Sequence, residues 1–189
     1  LTALGAKTVL VTNAKDIPSV IKEFEKNKIT VFSGLNTLFN AMLNHPDFAG
    51  KDFSGLKVTV AGGMALQKAV AERWEGVTGC RISEGYGMTE SSPVLTVNIL
   101  GKNARLGYIG LPVSSTDVKI VDDNGVEVPL GTAGELIAKG PQIMKGYYNK
   151  DEETAKTVKD GWLYTGDIAI MEPDGYFKIV DRKKDMILV

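Results

Sequence analysis

Lys57-Val58-Thr59-Val60-Ala61-Gly62-Gly63 is a short β-branched run that stops on two glycines, and Leu66 to Val77 follows it with helical spacing. A buried strand that turns on glycines into a helix is half of a strand–helix–strand unit. The rhythm continues on both sides. Upstream, Thr8-Val9-Leu10-Val11 predicts a strand. Pro18 to Lys28 predicts a helix, with Ile17, Val20, Ile21 and Phe24 at helical spacing and Pro18 in the first turn. Thr30-Val31-Phe32-Ser33 predicts a second strand, and Asn36 to Asn44 a second helix stopped by Pro46. Downstream, Arg81-Ile82-Ser83 predicts a further short strand. This alternation implies a parallel sheet with crossover helices.

The pattern changes near residue 105. Val118 to Val121, Asp122-Asp123-Asn124-Gly125 and Val126-Glu127-Val128 carry a hairpin signature, with Asn-Gly supplying the tight turn. Glu135 to Ala138 predicts another strand, and Asp151 to Val158 a short helix. Ile168 to Met171, Pro173-Asp174-Gly175 and Tyr176 to Val180 predict a second hairpin. The expected fold class is therefore α/β: a parallel-sheet portion over 1–105, then a smaller antiparallel β-rich subdomain over 106–180. The boundary is expected at Asn103 to Gly107. Repeats and low-complexity segments are absent from the sequence.

Composition narrows the function classes. The 189 residues carry 22 Lys plus Arg against 23 Asp plus Glu, a net charge of −1, which gives no electrostatic case for nucleic acid as a partner. With one cysteine, Cys80, neither an internal disulfide nor a Cys-rich zinc site can form. With one histidine, His45, arrays that need two histidines are excluded. No apolar run approaches the ~18 residues of a membrane helix, and no signal peptide opens the chain, so the expected setting is the cytoplasm. The chain begins at Leu1 rather than Met and ends on the apolar run Met186-Ile187-Leu188-Val189, which leads us to expect a piece of a longer protein.

Standard phosphate motifs and the G-x-S-x-G nucleophile elbow are missing. Four other stretches could carry chemistry. Glu84-Gly85-Tyr86-Gly87-Met88-Thr89-Glu90 follows a strand, where open parallel sheets place ligands. Its glycines permit close backbone approach, Tyr86 offers a flat face for a base, Thr89 a hydroxyl for a phosphate oxygen, and Glu90 a hard oxygen for Mg²⁺. The alternative is a glycine-rich turn with a part-buried tyrosine. Gly62-Gly63-Met64 is either a backbone wall beside a flat ligand or a plain strand-to-helix turn. In Tyr164-Thr165-Gly166-Asp167, the carboxylate suits a vicinal diol such as a ribose, or it caps its own turn. The next hairpin already has its turn in Pro173-Asp174-Gly175, which leaves Asp167 without that duty. Asp181-Arg182-Lys183-Lys184-Asp185 is either a solvated linker or an arginine fork for ribose or phosphate beside a flexible joint. The stripe Leu35, Leu38, Phe39, Met42 and Leu43 suits core or an apolar tunnel wall.

Together these stretches resemble the adenylate-forming superfamily, and within it the fatty acyl-CoA synthetases of the bacterial long-chain type. Tyr86-Gly87-Met88-Thr89-Glu90 resembles the superfamily's Y-G-x-T-E motif. Asp160 to Asp167 and Gly175 to Lys184 resemble the fatty acyl-CoA synthetase signature, and Gly140 to Tyr148 resembles another family stretch. Tyr164 departs from it, since many fatty acyl members carry histidine there.

The resemblance implies part of a large N-terminal synthetase domain. It also implies a two-step ligation: a fatty acid carboxylate attacks the α-phosphate of ATP, and the thiol of coenzyme A then displaces AMP. By the same resemblance, Gly62, Gly63, Gly85, Tyr86 and Gly87 surround the adenine and the acyl carbonyl. Thr89 and Glu90 are the catalytic pair, with Thr89 on the α-phosphate and Glu90 binding Mg²⁺. Asp167 and Arg182 hold the ribose hydroxyls. Val31 to Leu43 lie near the acyl channel. Residues 181–189 form a hinge segment with Lys184 as the hinge. The family's upstream phosphate loop and its C-terminal lid find no match, so the chain by itself is expected not to catalyse adenylation. Peripheral contact with the inner membrane and a homodimer are compatible with this family. Two alternatives stay open: an adenylate-forming ligase for another carboxylic acid, and a non-catalytic nucleotide-binding module.

Overall fold

The computed structural model describes residues 5–182. Packing divides the chain into two compact units, the first made of residues up to Ile82 with Leu100–Lys102, the second of Ser83–Ile99 with the chain from Asn103 onward.

In the first unit, helix α1 spans Ile17–Lys26. Asp16 starts it by accepting the Ser19 amide at 3.2 Å and the Ser19 hydroxyl at 2.7 Å, which satisfies one of the open amides of the first turn. Strand β1 (Val31–Gly34), helix α2 (Asn36–Asn44), strand β2 (Val58–Ala61) and helix α3 (Lys68–Thr78) follow. β1 and β2 pair in parallel, from Val31 opposite Val58 to Gly34 opposite Ala61, and α2 lies in the crossover between them. α3 stops at Gly79, whose φ of +69° is the left-handed C-cap that glycine adopts without strain. Aromatic rings fill the core. Trp74 is fully buried, stacks on Phe32 at 5.7 Å between ring centroids and meets the edge of Phe39 at 4.8 Å.

The second unit takes β3 (Ile82–Gly87) from Ser83 onward, and β3, β4 (Val94–Val97) and β5 (Leu111–Pro112) pair antiparallel in sequence. Then come β6 (Asp117–Val121), β7 (Gly134–Lys139), helix α4 (Asp151–Thr157), β8 (Val158–Lys159), β9 (Trp162–Met171) and β10 (Phe177–Arg182). The later strands form an antiparallel sheet in the order β10-β9-β7-β6, with β8 added against β9. Alternation sends Ile120, Leu136, Ala138, Ala169 and Phe177 to one face, where they bury Leu95 and Ile109.

The fold class is thus the expected one, a parallel α/β pair and an antiparallel β-rich part. Some elements differ from the sequence expectation. Thr8–Val11 forms no strand, and Leu10 is 85% exposed. A strand needs a neighbour to take its amides and carbonyls, and none of the described strands lies beside it. β3 extends through Gly87, so Gly85 and Tyr86 sit in a strand and not in the turn after one. The return of the Asn124-Gly125 turn shrinks to a single bridge between Val121 and Glu127. Asp167 lies inside β9, in mid-strand and not in a connection before the hairpin.

Candidate functional site

Tyr86, Asp167 and Arg182 come together in the second unit from β3, β9 and β10. The Tyr86 hydroxyl donates to Asp167 Oδ2 at 2.6 Å, and Arg182 Nε donates to Oδ1 at 3.0 Å. Asp167 is 6% exposed, whereas the Arg182 side chain is 71% exposed. Burial, and then the hydrogen bond to Asp167, push the Tyr86 phenol well above the ordinary tyrosine range, so it stays a donor at neutral pH.

Two bulges aim this carboxylate. The β7–β9 register shifts between Glu135 and Ile137, and Gly166 takes the positive φ of +73° that the bulge requires. The Gly166 amide donates to the buried Glu135 carboxylate at 3.0 Å. Thr165 donates its hydroxyl to the Leu136 carbonyl at 2.7 Å and accepts the Asp167 amide at 3.2 Å. A second shift, between Ile179 and Asp181 of β10, brings Arg182 opposite Asp167. A carboxylate so held presents several acceptor positions in one fixed plane, which is what two adjacent hydroxyls need.

Glu90 sits in the 3₁₀ turn Thr89–Ser91, directly after β3. Its Oε1 accepts the Tyr147 hydroxyl at 2.7 Å, and its carbonyl accepts the Met144 amide at 2.8 Å. The bond to Glu90 raises the Tyr147 phenol above its ordinary range, with burial adding to it. Thr89 is exposed at the head of the same turn. Among the described residues, no group of three or more His, Cys, Asp or Glu could enclose a metal. A single carboxylate fits magnesium, which commonly takes one or two protein carboxylates and completes its shell with water and substrate phosphates.

Gly87 explains its own presence. A Cβ there would overlap the carbonyl of Pro93, because β4 folds back directly against it. Gly87→Ala is expected to destabilise the complete natural protein by about 1–3 kcal/mol, through overpacking against backbone that cannot yield. Urea denaturation checks this, and an unchanged midpoint would show that the strand can shift.

Gly62 and Gly63 lie in the first unit at the end of β2, and Gly63 has a φ of +76°. Of the apolar stripe, Phe39, Met42 and Leu43 are core, while Leu35 is exposed. A cavity of about 420 Å³ in the first unit is lined by Phe24, Lys28, Ile29 and Lys51 among others, and by none of the candidate residues. Lys184 and the rest of the hinge segment after Arg182 lie outside the described residues. The sequence assigned no role to Tyr147, Thr165 or Glu135. Glu135 left a signal, a charge leading the apolar run Leu136-Ile137-Ala138. For Tyr147 the signal was its place in the Gly140–Tyr148 stretch, which marked the segment but gave this residue no role.

The family profile described as AMP-binding enzyme matches residues 1–148. A protein named long-chain-fatty-acid–CoA ligase from Yersinia pestis is 53% identical over 186 residues, covering 98% of this chain and 33% of that protein. Among solved structures, the anthranilate CoA ligase AuaEII in complex with anthranoyl-AMP matches with a TM-score of 0.90 and 32% identity, over 98% of this chain and 36% of that one. A benzoate CoA ligase from Burkholderia xenovorans LB400 matches with a TM-score of 0.88 and 27% identity, over 97% and 37%. The chain spans about a third of the length of the curated relatives it matches.

Proposed function

The chain belongs to the AMP-binding enzyme family, and from that premise we propose that it supplies nucleotide- and acyl-handling residues of an ATP-dependent long-chain fatty acid–CoA ligase. The observation that carries the proposal is the buried Asp167 carboxylate clamped by Tyr86 and Arg182. It is a preformed acceptor for a ribose diol, assembled from three strands.

In the proposed reaction a carboxylate oxygen of the fatty acid bonds to the α-phosphorus of ATP, and the bond from that phosphorus to the bridging oxygen breaks, releasing pyrophosphate. The sulfur of coenzyme A, having given its proton to solvent, then bonds to the acyl carbon, and AMP leaves with the ester oxygen. The protein's part is to position and to neutralise charge. Asp167 accepts the ribose hydroxyls while Arg182 and Tyr86 keep its plane fixed. Gly85, Tyr86 and Gly87 offer a strand to the adenine, and Gly62 and Gly63 are proposed as nucleotide-binding residues. Thr89 offers its exposed hydroxyl to an α-phosphate oxygen. Glu90 and the substrate phosphates would hold Mg²⁺, which supplies charge neutralisation when bound. Lys184 is proposed as the hinge between the two half-reactions.

Long-chain acids are favoured over aromatic ones by the similarity itself, 53% to the Yersinia pestis ligase against 32% to the anthranilate ligase. No helix among the described residues is long and apolar enough to cross a membrane. Action in the cytoplasm with peripheral contact at the inner membrane belongs to the same proposal, since each methylene of the substrate favours lipid by about 0.8 kcal/mol.

The test is a substrate panel on the complete natural protein with ATP, Mg²⁺ and coenzyme A. Oleate is expected to exceed benzoate in kcat/KM by at least about a hundredfold, because a long chain buries many methylenes. Preference for an aromatic acid would transfer the chemistry to that class. AMP binding without thioester formation would leave a non-catalytic nucleotide-binding module.

A further inference from the structure

Glu90 stands in a turn of only three residues, and a glutamate side chain has three rotatable bonds. Ser91 fixes the backbone of that turn, taking the Met88 amide at 3.0 Å and donating to the Pro93 carbonyl at 2.8 Å. Nothing in these bonds orients the carboxylate. The orienting contacts come from the segment between β7 and α4, which crosses the turn. Gln142 ties its start to Thr116 Oγ1 at 2.7 Å and to the Val94 carbonyl at 3.2 Å. The Met144 amide then holds the Glu90 carbonyl, and the Tyr147 hydroxyl holds Oε1.

Tyr147 is itself anchored. Its amide donates to Thr154 Oγ1 in α4 at 2.9 Å, and Gly146 lies so close to Thr154 that a Cβ would meet Cγ2 at 2.8 Å. The neighbouring Tyr148 is 91% exposed, so the pair of tyrosines is used asymmetrically.

We propose that Tyr147 is a positioning residue for the Glu90 carboxylate, and that the Gly140–Thr154 segment sets the direction in which that carboxylate presents its oxygens. The phenol holds Oε1, which would leave Oε2 to be offered to a hydrated cation. This inference rests on the proposal that Glu90 binds Mg²⁺, and it deepens it by naming the group that fixes the ligand. Outer partners that orient a metal ligand contribute to affinity without touching the metal.

The experiment uses the complete natural protein, with Mn²⁺ as a spectroscopic stand-in for Mg²⁺ and α,β-methylene-ATP as a nucleotide that cannot react. Tyr147→Phe is expected to weaken Mn²⁺ uptake in the nucleotide complex about tenfold. Nucleotide affinity in the presence of EDTA should stay at the wild-type value, and Tyr148→Phe should change neither quantity. Adding Tyr147→Phe to Glu90→Gln should cost nothing further, because the group being positioned is already altered. Wild-type Mn²⁺ affinity in Tyr147→Phe overturns the inference. So does an equal loss in the Glu90→Gln background, or a joint fall in metal-free nucleotide affinity and melting temperature, which would mark a merely structural role. If the wild type takes up Mn²⁺ no better than Glu90→Gln, the ligand role of Glu90 fails and takes this inference with it. That result is read from the two proteins that retain Tyr147, and is therefore distinct from failure of the inference alone.

Discussion

Asp167→Ala in the complete natural protein is expected to weaken AMP and ATP binding about a hundredfold. Two ribose hydroxyls donating to one carboxylate make two charge-assisted hydrogen bonds, each worth about 1.5–3 kcal/mol, so losing both costs at least two factors of ten. The substitution has a second effect. It leaves the Tyr86 hydroxyl without its carboxylate at a position where that phenol is largely buried, and it removes one carboxylate that Arg182 pairs with. A buried donor left unsatisfied costs about 1–3 kcal/mol in stability. The two effects separate cleanly. Calorimetric titration with AMP reads the first, and urea denaturation without nucleotide reads the second. An unchanged AMP affinity in a protein that still folds would remove Asp167 from the ribose site, and with it the main support for the proposed function.

Trp74→Ala is expected to cost about 3–5 kcal/mol of stability, the ordinary range for deleting a large aromatic from a packed core. Trp74 is fully buried among Phe32, Phe39 and Phe48, with centroid distances of 5.7, 4.8 and 5.2 Å. Its indole N–H also donates to the buried Thr59 hydroxyl at 3.3 Å. Alanine would leave a cavity that the Phe rings close only in part, since each already packs on others. Urea denaturation is the measurement, and Trp162, the chain's other tryptophan, remains as a fluorescent probe. A loss below about 1 kcal/mol would show that the aromatic cluster collapses around the gap.

These two predictions differ in how far they could be read from the sequence. Trp74 lies on a helix whose boundaries the sequence places within about two residues, Leu66 to Val77 expected against Lys68–Thr78 found. Periodicity shows that such a residue faces inward. It does not show that Phe32, far upstream, is the ring on which it stacks. Asp167 was legible as a candidate because the hairpin after it had its own turn residues. Its surroundings were not legible. The sequence reading started the strand at Ile168, and the structure carries it back through Gly166 to Trp162 with a bulge on the way.

Local order belonged to the sequence alone. The helices, the parallel β1–β2 pair and the β9–β10 hairpin follow from hydrophobic spacing and turn residues over short windows, and the candidates Tyr86, Glu90, Asp167 and Arg182 stand in motifs that resemble those of the adenylate-forming enzymes. Only the tertiary structure decided which of those residues meet. Tyr86 reaches Asp167 across 81 positions, and Tyr147 reaches Glu90 across 57. The reason is physical. Periodicity records which face of a strand or helix is buried, but a partner is chosen by sheet order, register and bulges. Those depend on packing between segments far apart in the chain. Even within one hairpin a single shift at Ile179 and Asp181 sets Arg182 against Asp167, where the unshifted register would set it against Gly166.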